Sequence, residues 1–273
     1  MAYARYIPSQ PLSSFVSCFW YWEGAPQTPA KERLMPTGEA GIIINLCDDP
    51  LRLYDAQDLD RCESYGLALL SGARTQPFVI HNQQQDRVFG IQFHPGGGYP
   101  FFRMPSSEFE NQSIPLDDLW RNAARELRER ILQAPTPREM FHTAESVMLA
   151  QAARPLTLHP AVSFALRCFC RVPHLDTVGD VTDQLGMSPR RFIEVFRRQV
   201  GLTPKAFCRV RRFQHVLKSV HLAPQVDWAQ IALDSGYYDQ AHFIHDFRTF
   251  SSLTPNQYWS SRTCHLNHVP IHD

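Results

Sequence analysis

The strongest constraint in the chain is an internal repeat. Val181 to Phe207 lies over Ile231 to Tyr258, so that "VTDQLG" meets "IALDSG" and "SPRRFIEVFRRQVGLTPKAF" meets "DQAHFIHDFRTFSSLTPNQY". Phe192 and Phe196 correspond to Phe243 and Phe247, and both copies carry "LTP" at the same place. The offset is 50 residues up to the glycine and 51 beyond it, which puts one extra residue in the second turn. A repeat of this length implies two similar structural units. Each copy reads as a short helix, a turn pivoting on glycine and a longer helix with apolar positions about four apart. Gly186 and Gly236 supply the positive φ that ends a helix abruptly, and Ser188 and Asp239 are placed to cap the helix that follows. The expectation is a pair of helix-turn-helix units, at about 177–200 and 227–250, joined by a linker helix at about 204–220. That linker starts on Pro204 and carries Ala206, Phe207, Val210, Phe213, Val216 and Leu217 as its apolar stripe.

The second helix of such a unit is the one that can enter a major groove, because one face is held against the core and the other stays free. In the first copy Phe192, Val195, Phe196 and Gln199 or Val200 turn inward, which leaves Arg190, Arg191, Glu194, Arg197 and Arg198 outside. In the second, Phe243, Phe247 and Phe250 turn inward, leaving Gln240, Ala241, His242, His245 and Arg248. An arginine cluster on a helix is by itself an ordinary solvated face; two turns, two basic or amide-bearing faces and a connecting basic helix occurring together are not. Charge is consistent with this. The chain is neutral overall, but residues up to 157 carry 14 Lys and Arg against 18 Asp and Glu, whereas 158–262 carry 13 against 8. Such an excess permits phosphate binding without requiring it.

The repeat resembles the DNA-binding domain of AraC/XylS-type transcription regulators over roughly Ala161 to Trp259, and "IALDSGYYDQAHFIHDFRTFSSLTPNQY" is similar to that family's signature. The resemblance implies two recognition helices in successive major-groove segments of double-stranded DNA. Its base-facing places fall on Arg190, Glu194, Gln240, Ala241, His242 and His245. In chemical terms Arg190 suits a guanine edge, Gln240 an adenine and Glu194 a cytosine amino group, while Ala241 can touch only a thymine methyl. The family often has a basic residue where Glu194 stands, so pairing of Glu194 with Arg190, Arg197 or Arg198 is the alternative. Arg191, Arg197, Arg198, Arg209, Arg212 and Arg248 are the phosphate candidates, which set register rather than sequence.

Ahead of the repeat the pattern changes. "SSFVSCFWYW", "AGIIINLC", "YGLALLSG", "QPFVIHN" and "RVFGIQFHPGGG" are strand-length apolar runs bounded by turn formers, as in a mainly-β barrel or sandwich of cupin-like type. Helices are expected near 116–133, with Leu116, Leu119, Trp120, Ala123, Leu127 and Ile131 on one face, and near 138–151. The first packs either on its own strands or on a twin in a second subunit. "ARPLTLHP" reads as a linker, so the expected plan is a β-rich sensing or dimerisation domain at 1–157, a DNA-binding domain at 158–263 and a tail at 264–273. "RVFGIQFHPGGGYPFF" with "SIPLDDLW" resembles a variable N-terminal domain of some of these regulators, and "HPGGG" reads as a flexible strand-end turn. Aromatic residues such as Phe19, Trp20, Tyr21, Trp22 and Phe93 either line a pocket or fill a core; the effector and its pocket residues are not legible.

Other chemistries find little support. Seven scattered cysteines lack zinc spacing, and no H-x-H, P-loop or Gly-x-Ser-x-Gly pattern occurs. No cofactor, metal or catalytic residue is expected. A membrane span or secretion leader is not recognisable either, which reads as cytoplasmic. The sequence therefore points to an effector-modulated transcription regulator, with a homodimer and RNA polymerase contact as partners the family implies. A β-barrel enzyme fused to a regulatory helical domain and a helical protein-interaction module are the rival readings.

Overall fold

A computed structural model describes residues 2–24, 31–171, 177–223 and 225–271. Among these residues, the N-terminal part forms two antiparallel sheets that do not close into a barrel. One has the order β1 (Ala2–Tyr6), β2 (Val16–Glu23), β9 (Arg87–Phe93), β4 (Gly41–Asn45), β7 (Ala68–Ser71) and β10 (Ser113–Pro115). The other has β11 (His268–Ile271), β3 (Lys31–Leu34), β8 (Phe78–His81), β5 (Arg52–Tyr54) and β6 (Cys62–Ser64). The two-residue period of a strand divides the aromatic cluster between the faces of the first sheet. Phe19, Tyr21 and Phe93 are buried with Ile42, Ile44, Phe89 and Ile91 under the helices. Trp20 and Ile43 point the other way and line a cavity of about 350 Å³ between the sheets. Gly90, opposite Trp20 in the ladder, is what admits that indole: a Cβ there would come within 2.0 Å of the ring.

The helical cover is α1 (Leu116–Trp120), α2 (Asn122–Gln133) and α3 (Pro137–Ala150). The expected single helix at 116–133 is two, because Arg121 takes φ 52° and ψ −129° and breaks the ladder. Leu116, Trp120, Leu127 and Ile131 are buried against this chain's own sheet, the first of the two packings anticipated. The "HPGGG" turn is not a flexible tip. A Cβ on Gly97 would lie 2.0 Å from the Phe15 carbonyl, and Gly96, at φ 76°, abuts Leu158 and Val200. The supposed linker is docked as well: Leu158 packs against core residues of both halves, and Arg154 donates from Nη1 to the Phe102 carbonyl and lies over the Tyr99 ring.

Among the described residues, seven helices follow: α4 (Pro160–Arg171), α5 (Val178–Gln184), α6 (Pro189–Val200), α7 (Pro204–Leu222), α8 (Trp228–Asp234), α9 (Gln240–Ser251) and α10 (Pro255–Ser261). The repeated "LTP" now has a structural meaning. Thr203 and Thr254 accept a backbone amide from Ala206 and Gln257, and Pro204 and Pro255 occupy the first helical position, where no amide is needed. Ahead of it, α6 ends on Gly201 at φ 98° and α9 on Ser252 at φ 57°. The first copy has glycine because a Cβ would meet the Ser106 carbonyl at 3.1 Å and Ala73 at 3.3 Å, both from the β-rich part. The tail does not stay apart either. β11 returns to pair with β3, Val269 is buried beside Met35, and the Met35 amide donates to the Asn267 carbonyl at 2.9 Å.

Candidate nucleic-acid interface

Both longer helices of the repeat are built alike. Ser188 accepts from the Arg191 amide and Asp239 from the His242 amide, so each helix opens on a side-chain cap. Gly186 at φ 61° and Gly236 at φ 73° make the preceding turns. Phe192, Val195, Phe196 and Val200 of α6 are buried with Val162, Ala165 and Phe169 of α4. Phe243, Phe247 and Phe250 of α9 are buried with Val216, Leu217 and Val220 of α7. The linker helix serves both cores through one ring each. Phe207 meets Phe196 edge-on at 5.8 Å, and Phe213 meets Phe247 at 5.3 Å. Losing one such fully buried phenylalanine costs about 3–5 kcal/mol, enough to fix the orientation of both helices.

The opposite faces are open. Arg190, Arg191, Glu194, Arg197 and Arg198 are exposed on α6, and Gln240, Ala241, His245 and Arg248 are exposed on α9. His242 is half-buried: its ring packs edge-on against Tyr237 at 5.3 Å and its Nε2 lies 3.7 Å from Asp246. Glu194 does pair along its helix, but with Arg191, at 3.0 Å. The six arginines grouped above as phosphate candidates separate. Arg209 donates twice to Asp246, at 2.6 and 3.3 Å, and that carboxylate is only 1% exposed. The pair braces α7 against α9, and contact with Asp246 raises the guanidinium pKa above its ordinary value. Arg212 lies over the buried Tyr237 ring at 5.1 Å. Arg197 reaches Glu110 of the β-rich part at 3.1 Å, and the neighbouring Ser106 hydroxyl donates to the Gln199 carbonyl at 3.0 Å. Sequence reasoning missed Ser106, Glu110 and Asp246; the first two lie some ninety residues from their partners, and no local pattern marks them.

Comparison with known proteins adds what geometry alone does not. A family model described as a helix-turn-helix domain matches residues 181–261, the span of the repeat. Residues 181–261 are thus a helix-turn-helix domain. Residues 4–115 match a second model, described as a domain of unknown function (DUF6597). An "Uncharacterized HTH-type transcriptional regulator" of Haemophilus influenzae is 35% identical over 75 residues, which is 28% of this chain and 25% of that protein. The match thus spans a quarter of that relative's length. Among solved structures, ToxT from Vibrio cholerae is 11% identical, with 95% of this chain and 98% of that one covered and a TM-score of 0.46. The C-terminal domain of AraT from Geobacillus stearothermophilus is 22% identical over 39% of this chain and 88% of that one, with a TM-score of 0.36. A helix-turn-helix domain is a DNA-binding motif whose second helix enters the major groove. Among the described residues, no helix is long and apolar enough to cross a membrane, and no cluster of His, Cys, Asp or Glu is placed to hold a metal ion.

Proposed function

We propose that this chain is a cytoplasmic, sequence-specific regulator that reads double-stranded DNA with α6 and α9 and whose β-rich domain receives a small-molecule effector. The observation that carries the reading is the duplicated capped helix with one face buried and the other exposing arginine, amide and imidazole groups. Base edges fall to Arg190 in the first unit and to Gln240, Ala241 and His245 in the second, with His242 partly withdrawn toward Tyr237. Glu194 is occupied by Arg191, which favours an orienting role over a base contact. Phosphates fall to Arg191, Arg198 and Arg248, with Arg197 joining them once it leaves Glu110. Arg209 drops out of that set because Asp246 holds it, and Arg212 takes part only at its edge. A homodimer would add effective concentration at paired half-sites, and RNA polymerase is the protein partner the reading implies.

Selection of bound sequences from a random DNA pool, followed by footprinting with the full chain, tests this. Arg190→Ala and Gln240→Ala, both on exposed faces, are expected to lower specific affinity about tenfold or more each, at separate positions of the selected site, with the fold intact. Three phosphate contacts, from Arg191, Arg198 and Arg248, would give a salt slope of about −3, with Arg197 adding a fourth when it is free of Glu110. Footprints unchanged by both substitutions would remove the assigned readout, and binding indifferent to salt would remove DNA as the partner.

A further inference from the structure

The cavity between the two sheets has a mixed lining whose members can be taken in turn. Its walls are apolar: Trp20, Ile43 and Leu69 from one sheet, Leu34, Leu53 and Phe78 from the other. At about 350 Å³ it suits a compact molecule with one or two rings. Most of the charged groups at its edge are already engaged. Arg74 donates to Ser71 Oγ, the Asn111 carbonyl and Ser113 Oγ at 3.3, 3.0 and 2.7 Å, and its guanidinium lies over the Phe78 ring. His268 lies 3.0 Å from Glu32, His81 accepts the Gln83 amide, and Arg52 is exposed at the rim.

Glu39 is different. Its carboxylate receives Gln92 Nε2 at 3.2 Å and Arg211 Nη1 at 3.5 Å. Both are long for a half-buried carboxylate, whose charge-assisted bonds close to about 2.7–2.9 Å when well made. Arg211 is equally poorly served, since its Nε is buried without a hydrogen-bond partner. This loosely made pair joins two parts of the molecule. Glu39 belongs to the segment after β3 that forms the cavity wall, and Arg211 belongs to the linker helix α7. The same wall is bound to α7 a turn later, where Gln214 Nε2 donates to the Pro36 carbonyl at 2.9 Å and to Asn267 Oδ1 at 2.8 Å. Gly38, at φ 74°, brings the backbone against Val210 and Phe207.

We propose that this cavity is the effector site, that it takes an aromatic or aliphatic amine whose ammonium group binds Glu39, and that binding displaces Arg211 and loosens α7 from the wall. The inference rests on the effector-modulated reading above. An ammonium on an apolar body meets both demands of the site: the body fills the space between the sheets, and the charged head supplies the short bonds that Arg211 does not make. Displaced, Arg211 turns to solvent on the helix that sets the spacing of the two DNA-reading units. An anion of the same shape would face Glu39, while Arg74 and His268 are already engaged.

Calorimetric titration of the full chain with 2-phenylethylamine and tryptamine, beside 3-phenylpropionate and indole-3-acetate, separates the possibilities. Amines are expected to bind at least about tenfold more tightly than carboxylates of the same body, and Glu39→Gln to remove that preference. Arg211→Met removes the competing cation and should tighten amine binding several-fold, an opposite shift that general damage to the fold would not produce. Equal binding of the two classes, no binding of either amine by folded protein, or weaker amine binding by Arg211→Met would overturn the proposal. Should Glu39→Gln fail to fold, the Arg211→Met arm decides alone. DNA binding by the same preparation without amine distinguishes the failures: if it persists while amines do not bind, the ligand class falls and the regulator stands; if it is absent, the regulator reading itself falls.

Discussion

Arg209→Met isolates what the Arg209–Asp246 pair contributes. Asp246 is 1% exposed, so removing Arg209 strands a carboxylate in the seam between α7 and α9, with His242 3.7 Å away to offset it in part. Breaking a buried pair from one side costs about 3–5 kcal/mol. Arg209 keeps 35% of its side chain accessible, so water screens part of the interaction and the lower end, about 3 kcal/mol, is expected. For a domain of this size that is a loss of about 10–20 °C in Tm. Replacing both partners, Arg209→Met with Asp246→Leu, leaves no stranded charge and should restore about 2 kcal/mol or more of the loss. Unfolding followed by far-ultraviolet circular dichroism gives the four corners of the cycle. A single substitution costing under about 1 kcal/mol, or a double variant no more stable than the single, would refute the brace. The double variant also decides the role of Arg209 on DNA. Its salt slope should equal that of the unaltered chain, whereas a lost phosphate contact would reduce the slope by about 0.9.

Three further outcomes follow from the junctions. Glu110→Gln frees Arg197 and should tighten DNA binding about fivefold while steepening the salt slope by about one unit, measured by fluorescence anisotropy; no change in either would mean that Arg197 does not reach a phosphate. The His268 contact lowers the Glu32 pKa below its ordinary value, so the carboxylate contributes stability that is present above about pH 4.5 and lost as pH falls through the lowered folded value. Urea midpoints taken at about pH 6 and pH 3.5 should therefore converge for Glu32→Gln and the unaltered chain at the acid end, and a constant gap would refute the linkage. Ser252→Gly relieves a left-handed residue and should stabilise the chain by about 0.5–1 kcal/mol, while Gly201→Ser must both strain the backbone and press on the Ser106 carbonyl. Equal and opposite effects of the two would contradict that contact.

What the sequence displayed was whatever its local periodicities encode. The strands with long apolar runs, β2, β4, β7, β8 and β9, lie where the runs lie, and the capped helices of the repeat begin at the Ser, Thr and Asp residues that cap them. β3 escaped notice because "KERL" has the composition of an exposed edge strand. It is an interior strand only because the last residues of the chain cover it, more than two hundred positions away. The short strands β5 and β6, "RLY" and "CES", lie at the far edge of the same sheet and carry no alternation long enough to read. On α6 and α9, period 3.6 sorts buried from exposed residues but says nothing about which exposed arginine another element occupies. Arg197, Arg198 and Arg209 look alike in sequence; Glu110 and Asp246 make them different.

These contacts also make the two helix-turn-helix units unequal in how the β-rich half holds them. The first is engaged on its own longer helix, through Glu110 on Arg197, Ser106 on the Gln199 carbonyl, and Gly96 against Val200. The second is reached through the linker helix and the tail, by way of Gln214, Arg211 and the buried Met35 and Val269. Two units on a continuous duplex must present their faces at a fixed spacing, which the shared helix α7 sets. A change at the cavity wall acts on that helix between its two ring contacts, Phe207 to the first core and Phe213 to the second. Loosening the wall therefore alters the freedom of one unit relative to the other without disturbing either core. The expected signature is selective: specific binding that needs both units responds to the effector, while the salt-dependent, sequence-independent component stays nearly constant.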